Sequence, residues 1–148
     1  MGFILDRKFN TNNMSLYNLS SKINIRIYYE DTDAGGVVYH SKYLNFAERA
    51  RAEFLRNLSL EQAFIKDEYK VQFIVKSLKV NYLYSCKLDD QISLVTDLES
   101  INRAKLCFRH VFYKDKKEVS NIEVTICCIS NTGKVARMPK CLYHKIVN

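Results

Sequence analysis

Proline, glycine and tryptophan are scarce in this chain of 148 residues, which has one Pro, four Gly and no Trp. This scarcity, together with 47% hydrophobic residues, excludes collagen-like and low-complexity sequence and indicates one folded domain. The five Cys are odd in number and form no C-x-x-C pair, so we expect reduced thiols rather than a disulfide framework or a zinc knuckle. Apolar runs are also short. We expect neither a signal peptide nor a membrane span, which needs about 18 consecutive apolar residues.

Several catalytic and binding signatures are absent as well. The chain has no G-x-S-x-G nucleophile elbow, no H-E-x-x-H, no P-loop and no G-x-G-x-x-G. Its three His lie far apart without metal-ligand spacing, so we expect no metal site. The net charge is +7, but no run of five like charges and no nucleic-acid-binding motif occurs. We therefore expect no nucleic-acid partner; the basic surface fits either general solubility or attraction of a polyanionic substrate.

The chain divides into two parts of different composition. Residues 1–21 are polar, rich in Asn and Ser and without a regular period, which predicts a flexible N-terminal extension; Met14 within it is an alternative start. Residues 22–148 carry the periodic patterns of a single domain. From Ser41 to Leu58 the apolar residues follow a helical period, and a shorter helix is predicted over 60–67.

Alternating apolar residues predict strands on both sides of these helices. A first strand carries Ile23, Ile25 and Ile27, and the next begins after Tyr69. The phase of this second strand changes near Lys76, which predicts a β-bulge. The remaining strands are predicted over 91–99, 105–113 and 119–129, with a short C-terminal helix over 138–147. One strand, the helices and four antiparallel strands make an α+β fold in which the sheet wraps the long helix.

The segment from Asp31 to His40 places two carboxylates and two glycines just ahead of the long helix. Asp31 and Asp33 are one residue apart, so an extended segment directs them to opposite sides, and only one of them enters a given pocket. A solvated Asx turn is one interpretation. A binding site is the other, because a helix start attracts anions and glycine allows a ligand close to the backbone. The apolar stretch Val37-Val38-Tyr39 favours the site.

The run from Tyr28 to His40, with Tyr43-Leu44 and Glu48-Arg49-Ala50-Arg51 after it, resembles the signature of the YbgC-type acyl-CoA thioesterases. These belong to the 4-hydroxybenzoyl-CoA thioesterase branch of the hotdog-fold superfamily. The resemblance extends from about Ile25 to the region of Pro139. It implies a hotdog fold, in which a curved antiparallel sheet of about five strands wraps a long central helix. It further implies a bacterial cytoplasmic enzyme, associated with the Tol-Pal system, that forms a homodimer or homotetramer with active sites at the subunit interface.

The resemblance also assigns roles to residues of this segment. It implies that Asp33 is the catalytic carboxylate, which acts on the thioester as general base or as nucleophile. His40 matches the residue whose backbone N–H polarises the thioester carbonyl, with Tyr39 and Ser41 as further donors at the helix start, and its imidazole either caps the helix or orients the substrate. Glu48 matches the pattern too, and we expect a surface or interface salt bridge there. We expect Gly35, Gly36, Val38, Tyr39 and Tyr43 to bind the substrate.

Hydrolysis of acyl-CoA to free acid and coenzyme A is therefore the leading hypothesis. No cofactor is expected, because coenzyme A is part of the substrate. The alternative is a binding protein on the same fold, whose partner is an acyl carrier protein or an envelope complex. A hotdog dehydratase is disfavoured by the D-T-D-A-G-G run, since that chemistry resembles a pattern with a catalytic His on the helix segment.

Overall fold

A computed structural model describes residues 19–148, so residues 1–18 of the predicted extension, with Met14, lie outside the described residues. The strands in the described part are β1 (Leu19–Arg26), β2 (Val71–Tyr82), β3 (Gln91–Ile101), β4 (Lys105–Lys114) and β5 (Lys117–Ser130). The helices there are α1 (Lys42–Asn57), α2 (Gln62–Tyr69) and α3 (Lys140–Val147), and a 3-10 turn covers Tyr29–Asp31. Every predicted helix and strand is present in the predicted order.

The strands form one antiparallel sheet in the order β1-β3-β4-β5-β2. This arrangement confirms the predicted α+β class with five strands. β1 and β2 are the edge strands, so one side of the β2 backbone has no strand beside it within residues 19–148. The edge position of β2 matters for the site, because the chain leaves this strand at the candidate cavity.

Strand pairing corrects one predicted boundary and confirms one irregularity. Leu19 lies opposite Leu98, so the strand begins before residue 21, where we expected the extension to end. Leu19, Ser20 and Ser21 show no clear alternation in sequence, and their pairing with β3 makes them a strand. The predicted bulge in β2 is confirmed, because its register against β5 shifts between Val75 and Ser77. Because Lys76 has no partner in β5, Phe73 before it and Val80 after it both pack against the core.

The apolar stripe of α1 packs on one face of the sheet. Its buried apolar residues are Tyr43, Phe46, Ala47, Ala50, Phe54 and Leu55. They meet side chains that alternate inward along the strands, such as Leu94 of β3, Phe112 of β4 and Ile122 of β5. No helix within residues 19–148 is both long and apolar enough to span a membrane. Packing of this apolar stripe against the sheet holds the start of α1 in place. The loops at the end of the sheet place the segment before it.

Candidate active site

The two aspartates ahead of α1 have different environments. Asp31 is buried, and its carboxylate accepts a hydrogen bond from the Tyr28 N–H at 2.9 Å and lies 3.7 Å from the Lys42 ammonium. Its backbone carbonyl accepts the Tyr39 N–H at 2.8 Å. Asp33 is exposed. Asp31 therefore holds the segment against the first turn of α1.

Asp33 lies at the first position of a tight turn that the two glycines make possible. The Gly36 N–H donates to the Asp33 carbonyl at 2.9 Å, and the Gly35 N–H donates to Asp33 Oδ1 at 2.8 Å. A Cβ atom on Gly35 would lie 3.1 Å from that oxygen, which is closer than most side chains tolerate. Gly36 has a φ of +76°, a conformation that L residues rarely adopt. Glycine is thus favoured at position 35 by the close approach of Asp33 and at position 36 by the positive φ. Both residues belong to the turn that orients the Asp33 carboxylate.

A cavity of about 310 Å³ opens beside this turn. Its lining residues come from the turn, the start of α1 and the chain after β2, and they are Asp33, Val37, Val38, His40, Tyr43, Tyr82, Leu83, Tyr84 and Ser85. The lining is mostly apolar and aromatic, with one carboxylate. Such a composition suits a ligand with an apolar body and a polar reacting group.

The structure brings four of the seven predicted site residues together at this cavity, namely Asp33, Val38, His40 and Tyr43. Gly35, Gly36 and Tyr39 are not among its lining residues. The Tyr39 ring is exposed and stacks obliquely on the His40 imidazole, with ring centroids 4.3 Å apart. Gly35 and Gly36 affect the cavity only indirectly, because they orient the carboxylate of Asp33, which lines it.

The start of α1 has free backbone donors next to His40, which lines the cavity. The Tyr39 N–H is already bound to the Asp31 carbonyl, so the expectation that it serves as a free donor is wrong. The N–H groups of His40 and Ser41 have no acceptor within residues 19–148, and Ser41 makes no side-chain cap. Unsatisfied N–H groups at a helix start carry partial positive charge and bind anions. Asp33 and His40 therefore line one cavity, and the two unsatisfied donors belong to His40 and to Ser41, the residue that follows it.

The lining residue Tyr43 and its neighbour Cys86 are uncharged. Burial, reinforced by the neighbouring Cys86, raises the pKa of Tyr43 far above the ordinary tyrosine value. Burial also raises the pKa of the Cys86 thiol. Both side chains are consequently protonated and neutral at pH 7. Asp33 is left as the sole carboxylate among the lining residues.

Sequence reasoning missed the wall formed by Tyr82 to Ser85. These residues lie more than forty positions beyond the turn, and the pattern of β2 alone does not indicate which loop it meets. Val38 and Cys86 supply the connection, because the Val38 N–H donates to the Cys86 carbonyl at 2.8 Å. The run Tyr82-Leu83-Tyr84, three consecutive apolar or aromatic residues at a strand end, is the only local signal for a binding wall.

A second polar cluster connects α1 to the middle of the sheet without lining the cavity. The buried Arg51 guanidinium pairs with Glu48 and donates to His110 Nε2 at 3.1 Å. The other ring nitrogen of His110 lies 2.9 Å from the Thr96 hydroxyl. Burial, followed by the charge of Arg51, lowers the pKa of His110 to about 3. His110 is thus a neutral packed residue, and the salt bridge expected for Glu48 is made within its own helix.

Side chains that could bind a metal ion are not clustered in the part of the chain that the structure describes. No group of three or more His, Cys, Asp or Glu side chains there is arranged to hold a metal ion.

Several proteins with similar sequences or folds are named as thioesterases. Residues 28–146 match the thioesterase-like superfamily. The chain is 40% identical to acyl-CoA thioesterase YbgC of Haemophilus influenzae over 75% of its own length and 81% of that protein. It is 38% identical to acyl-CoA thioester hydrolase YbgC of Escherichia coli, over 71% of its length and 78% of that protein. A probable thioesterase from Bartonella henselae has a similar structure, with a TM-score of 0.77 and 27% identity, covering 81% of this chain and 99% of that one.

The match covers the segment with Asp33, the helix α1 and all strands after it. The fold is accordingly the hotdog fold that the sequence predicted. From these similarities and the architecture of the sheet and helix, the chain belongs to the thioesterase-like superfamily and, within it, to the YbgC-type thioester hydrolases.

Proposed function

We propose that this thioester hydrolase cleaves acyl-CoA thioesters and that Asp33 is its catalytic carboxylate. The observation that carries the proposal is that Asp33 lines a largely apolar cavity together with His40, whose backbone N–H at the start of α1 is unsatisfied. The YbgC relatives are named as acyl-CoA hydrolases, which supports coenzyme A as the leaving group. The net charge of +7 suits a substrate that carries several phosphates.

The proposed reaction has two forms with the same products. As general base, Asp33 takes a proton from a water molecule whose oxygen attacks the thioester carbonyl. As nucleophile, its carboxylate oxygen attacks instead, coenzyme A leaves as the thiolate, and water then hydrolyses the mixed anhydride. In both forms the C–S bond breaks, the thiolate takes up a proton, and a free acid is released. Gly35 holds one oxygen of Asp33, which leaves the other for the reaction.

The start of α1 is proposed to stabilise the oxyanion. The carbonyl oxygen becomes negative when the tetrahedral intermediate forms, and the N–H of His40, with that of Ser41 beside it, supplies donors at this point. A donor of this kind contributes about 3 to 4 kcal/mol in well-studied hydrolases. The His40 imidazole has no hydrogen bond to another side chain within residues 19–148, so it is free to orient the substrate.

The remaining predicted residues are proposed to bind the acyl group or to shape its site. Val38 and Tyr43 line the cavity and contact the acyl chain, while Tyr39 covers the mouth beside His40. Gly35 and Gly36 act through the turn that orients Asp33. No cofactor enters this chemistry, because coenzyme A arrives with the substrate.

A second copy of the chain is proposed to complete the site. The edge strand β2 carries exposed apolar side chains, among them Ile74, Val75 and Leu78. An edge with unpaired backbone groups and apolar side chains favours pairing with another strand. Because β2 ends at Tyr82 in the cavity wall, a partner along this edge would lie next to the cavity. The expected solution state is therefore a homodimer or a homotetramer built from such dimers.

Thiol release from a panel of short-chain, long-chain and aromatic acyl-CoAs tests the proposal. Asp33→Asn keeps the shape of the side chain but removes the base and the nucleophile, so we expect kcat to fall by at least about 100-fold. Asp67→Asn, an exposed substitution on α2, is the matched control and should leave kcat unchanged. Turnover by Asp33→Asn at the wild-type rate would show that another group carries the reaction.

Labelled water tests for the nucleophilic form of the mechanism. Repeated turnover in H₂¹⁸O transfers ¹⁸O into the Asp33 carboxylate only if that carboxylate has formed a mixed anhydride. Mass spectrometry of the peptide that contains Asp33 reads this out. Binding of acyl-CoA without thiol release from any member of the panel would instead favour the binding-protein alternative.

A further inference from the structure

Tyr82 makes a hydrogen bond that ties the edge strand to the start of α1. Its hydroxyl donates to the backbone carbonyl of His40 at 2.7 Å, across 42 positions of the chain. Its ring packs edge-on against the Tyr43 ring, with centroids 5.5 Å apart, and it lines the cavity. The bond therefore joins the last residue of β2 to the segment that carries the free N–H groups.

The His40 carbonyl lies outside the hydrogen-bond ladder of the helix. The Lys42 N–H donates to the Tyr39 carbonyl at 2.9 Å, and the Leu44 N–H donates to the Ser41 carbonyl at 3.1 Å. Among the backbone hydrogen bonds of residues 19–148 that lie outside the regular helices and strands, none ends on the His40 carbonyl. This carbonyl instead accepts the hydroxyl of Tyr82. The orientation of this peptide unit thus depends on a side chain from another element.

The same peptide unit contains the N–H of Ser41. A peptide group is planar, so a hydrogen bond that fixes the carbonyl also fixes the direction of the N–H on its other side. Accepting a hydrogen bond at the carbonyl also polarises the group and makes its N–H a stronger donor. Tyr82 therefore acts on a donor that it does not touch.

We infer that Tyr82 is a positioning residue for thioester hydrolysis, because it fixes and polarises the peptide between His40 and Ser41, whose N–H helps to hold the oxyanion. The inference rests on the proposed function. It differs from a role in substrate binding, since the hydroxyl proton of Tyr82 is used in the bond to the protein backbone. It also connects the site to the edge strand β2.

The substitution Tyr82→Phe removes the hydroxyl and keeps the ring. We expect kcat to fall about 3- to 10-fold, the effect of losing one neutral hydrogen bond, with KM within about twofold of the wild type. Tyr143→Phe on α3 is the control: its ring is partly buried against the core and lies outside the cavity lining, so its kcat should equal that of the wild type.

The amide resonance of Ser41 tests the inference without any reaction. In Tyr82→Phe, the amide proton of Ser41 should shift upfield, because its peptide group loses polarisation, while amides of α3 keep their positions. An unchanged Ser41 resonance, an unchanged kcat, or a higher KM at constant kcat would each overturn the inference. A wild-type protein that releases no thiol would instead contradict the proposed function, and the Ser41 shift would still report on the bond.

Discussion

Mild acid should destabilise this protein through His110. The ring is buried, its Nε2 faces the Arg51 guanidinium at 3.1 Å, and arginine can only donate. His110 must therefore be neutral with the proton on Nδ1, which donates to the Thr96 hydroxyl. A second proton on Nε2 would oppose one donor to another and place two positive charges together in the core. This is why burial, followed by the charge of Arg51, lowers the pKa of His110 to about 3.

The sign and size of the effect follow from proton linkage. The ordinary pKa of histidine is 6.5, so between pH 6.5 and about 3 the unfolded chain binds a proton at this position that the folded chain does not. The contribution of His110 to the stability of the folded protein is then fully present above pH 6.5 and is lost as the pH falls below it. Integrated from pH 7 to pH 5, the loss from this one group is about 2 kcal/mol in the free energy of unfolding.

Urea denaturation at pH 7 and at pH 5 measures this loss. The reference is His110→Gln, whose amide oxygen can accept from Arg51 but does not titrate; its loss between the two pH values should be about 2 kcal/mol smaller than that of the wild type. His144→Gln, at an exposed position on α3, should keep the wild-type difference. Parallel losses in wild type and His110→Gln would refute the reasoning, because the proton would then bind elsewhere.

Two further predictions concern the turn and the core. Gly36→Ala and Gly133→Ala both place a side chain at positive φ without a steric contact, so each should cost about 1 to 2 kcal/mol in urea denaturation; only Gly36→Ala should also lower kcat, because its turn carries Asp33. Equal activities for the two variants would mean that the turn does not orient the carboxylate. Phe112→Ala should cost about 3 to 5 kcal/mol, because it empties a fully buried site that packs on Tyr43. Val135→Ala, at an exposed position, should change stability by less than about 0.5 kcal/mol, measured in the same way.

Local patterns accounted for most of the helices and strands. A strand with one buried face must alternate apolar and polar residues, and this rule located β3, β4 and β5 as well as the bulge at Lys76. This rule did not predict the first three residues of β1. They are Leu19, Ser20 and Ser21, whose composition resembles a loop and whose strand conformation comes from pairing with β3.

The candidate site was predictable only where its residues are neighbours in the chain. The turn from Asp33 to Gly36 and the helix start at His40 form one continuous segment, and the resemblance to a known family pointed to it. Tyr82, Leu83 and Tyr84 reach the same cavity from the end of an edge strand. The contact of Arg51 with His110 likewise joins two elements 59 positions apart.

The order of residues along the chain was sufficient for the α+β class, the amphipathic face of α1 and the tight turn that holds the Asp33 carboxylate. These features depend on side-chain period and on backbone preferences that act within a few residues. Folding in three dimensions was needed to bring Tyr82 to the His40 carbonyl, to occupy the Tyr39 N–H with Asp31 and to place His110 against Arg51. Such contacts depend on strand order and register, which are set by the packing of the whole sheet on α1, and no short segment of sequence contains that information.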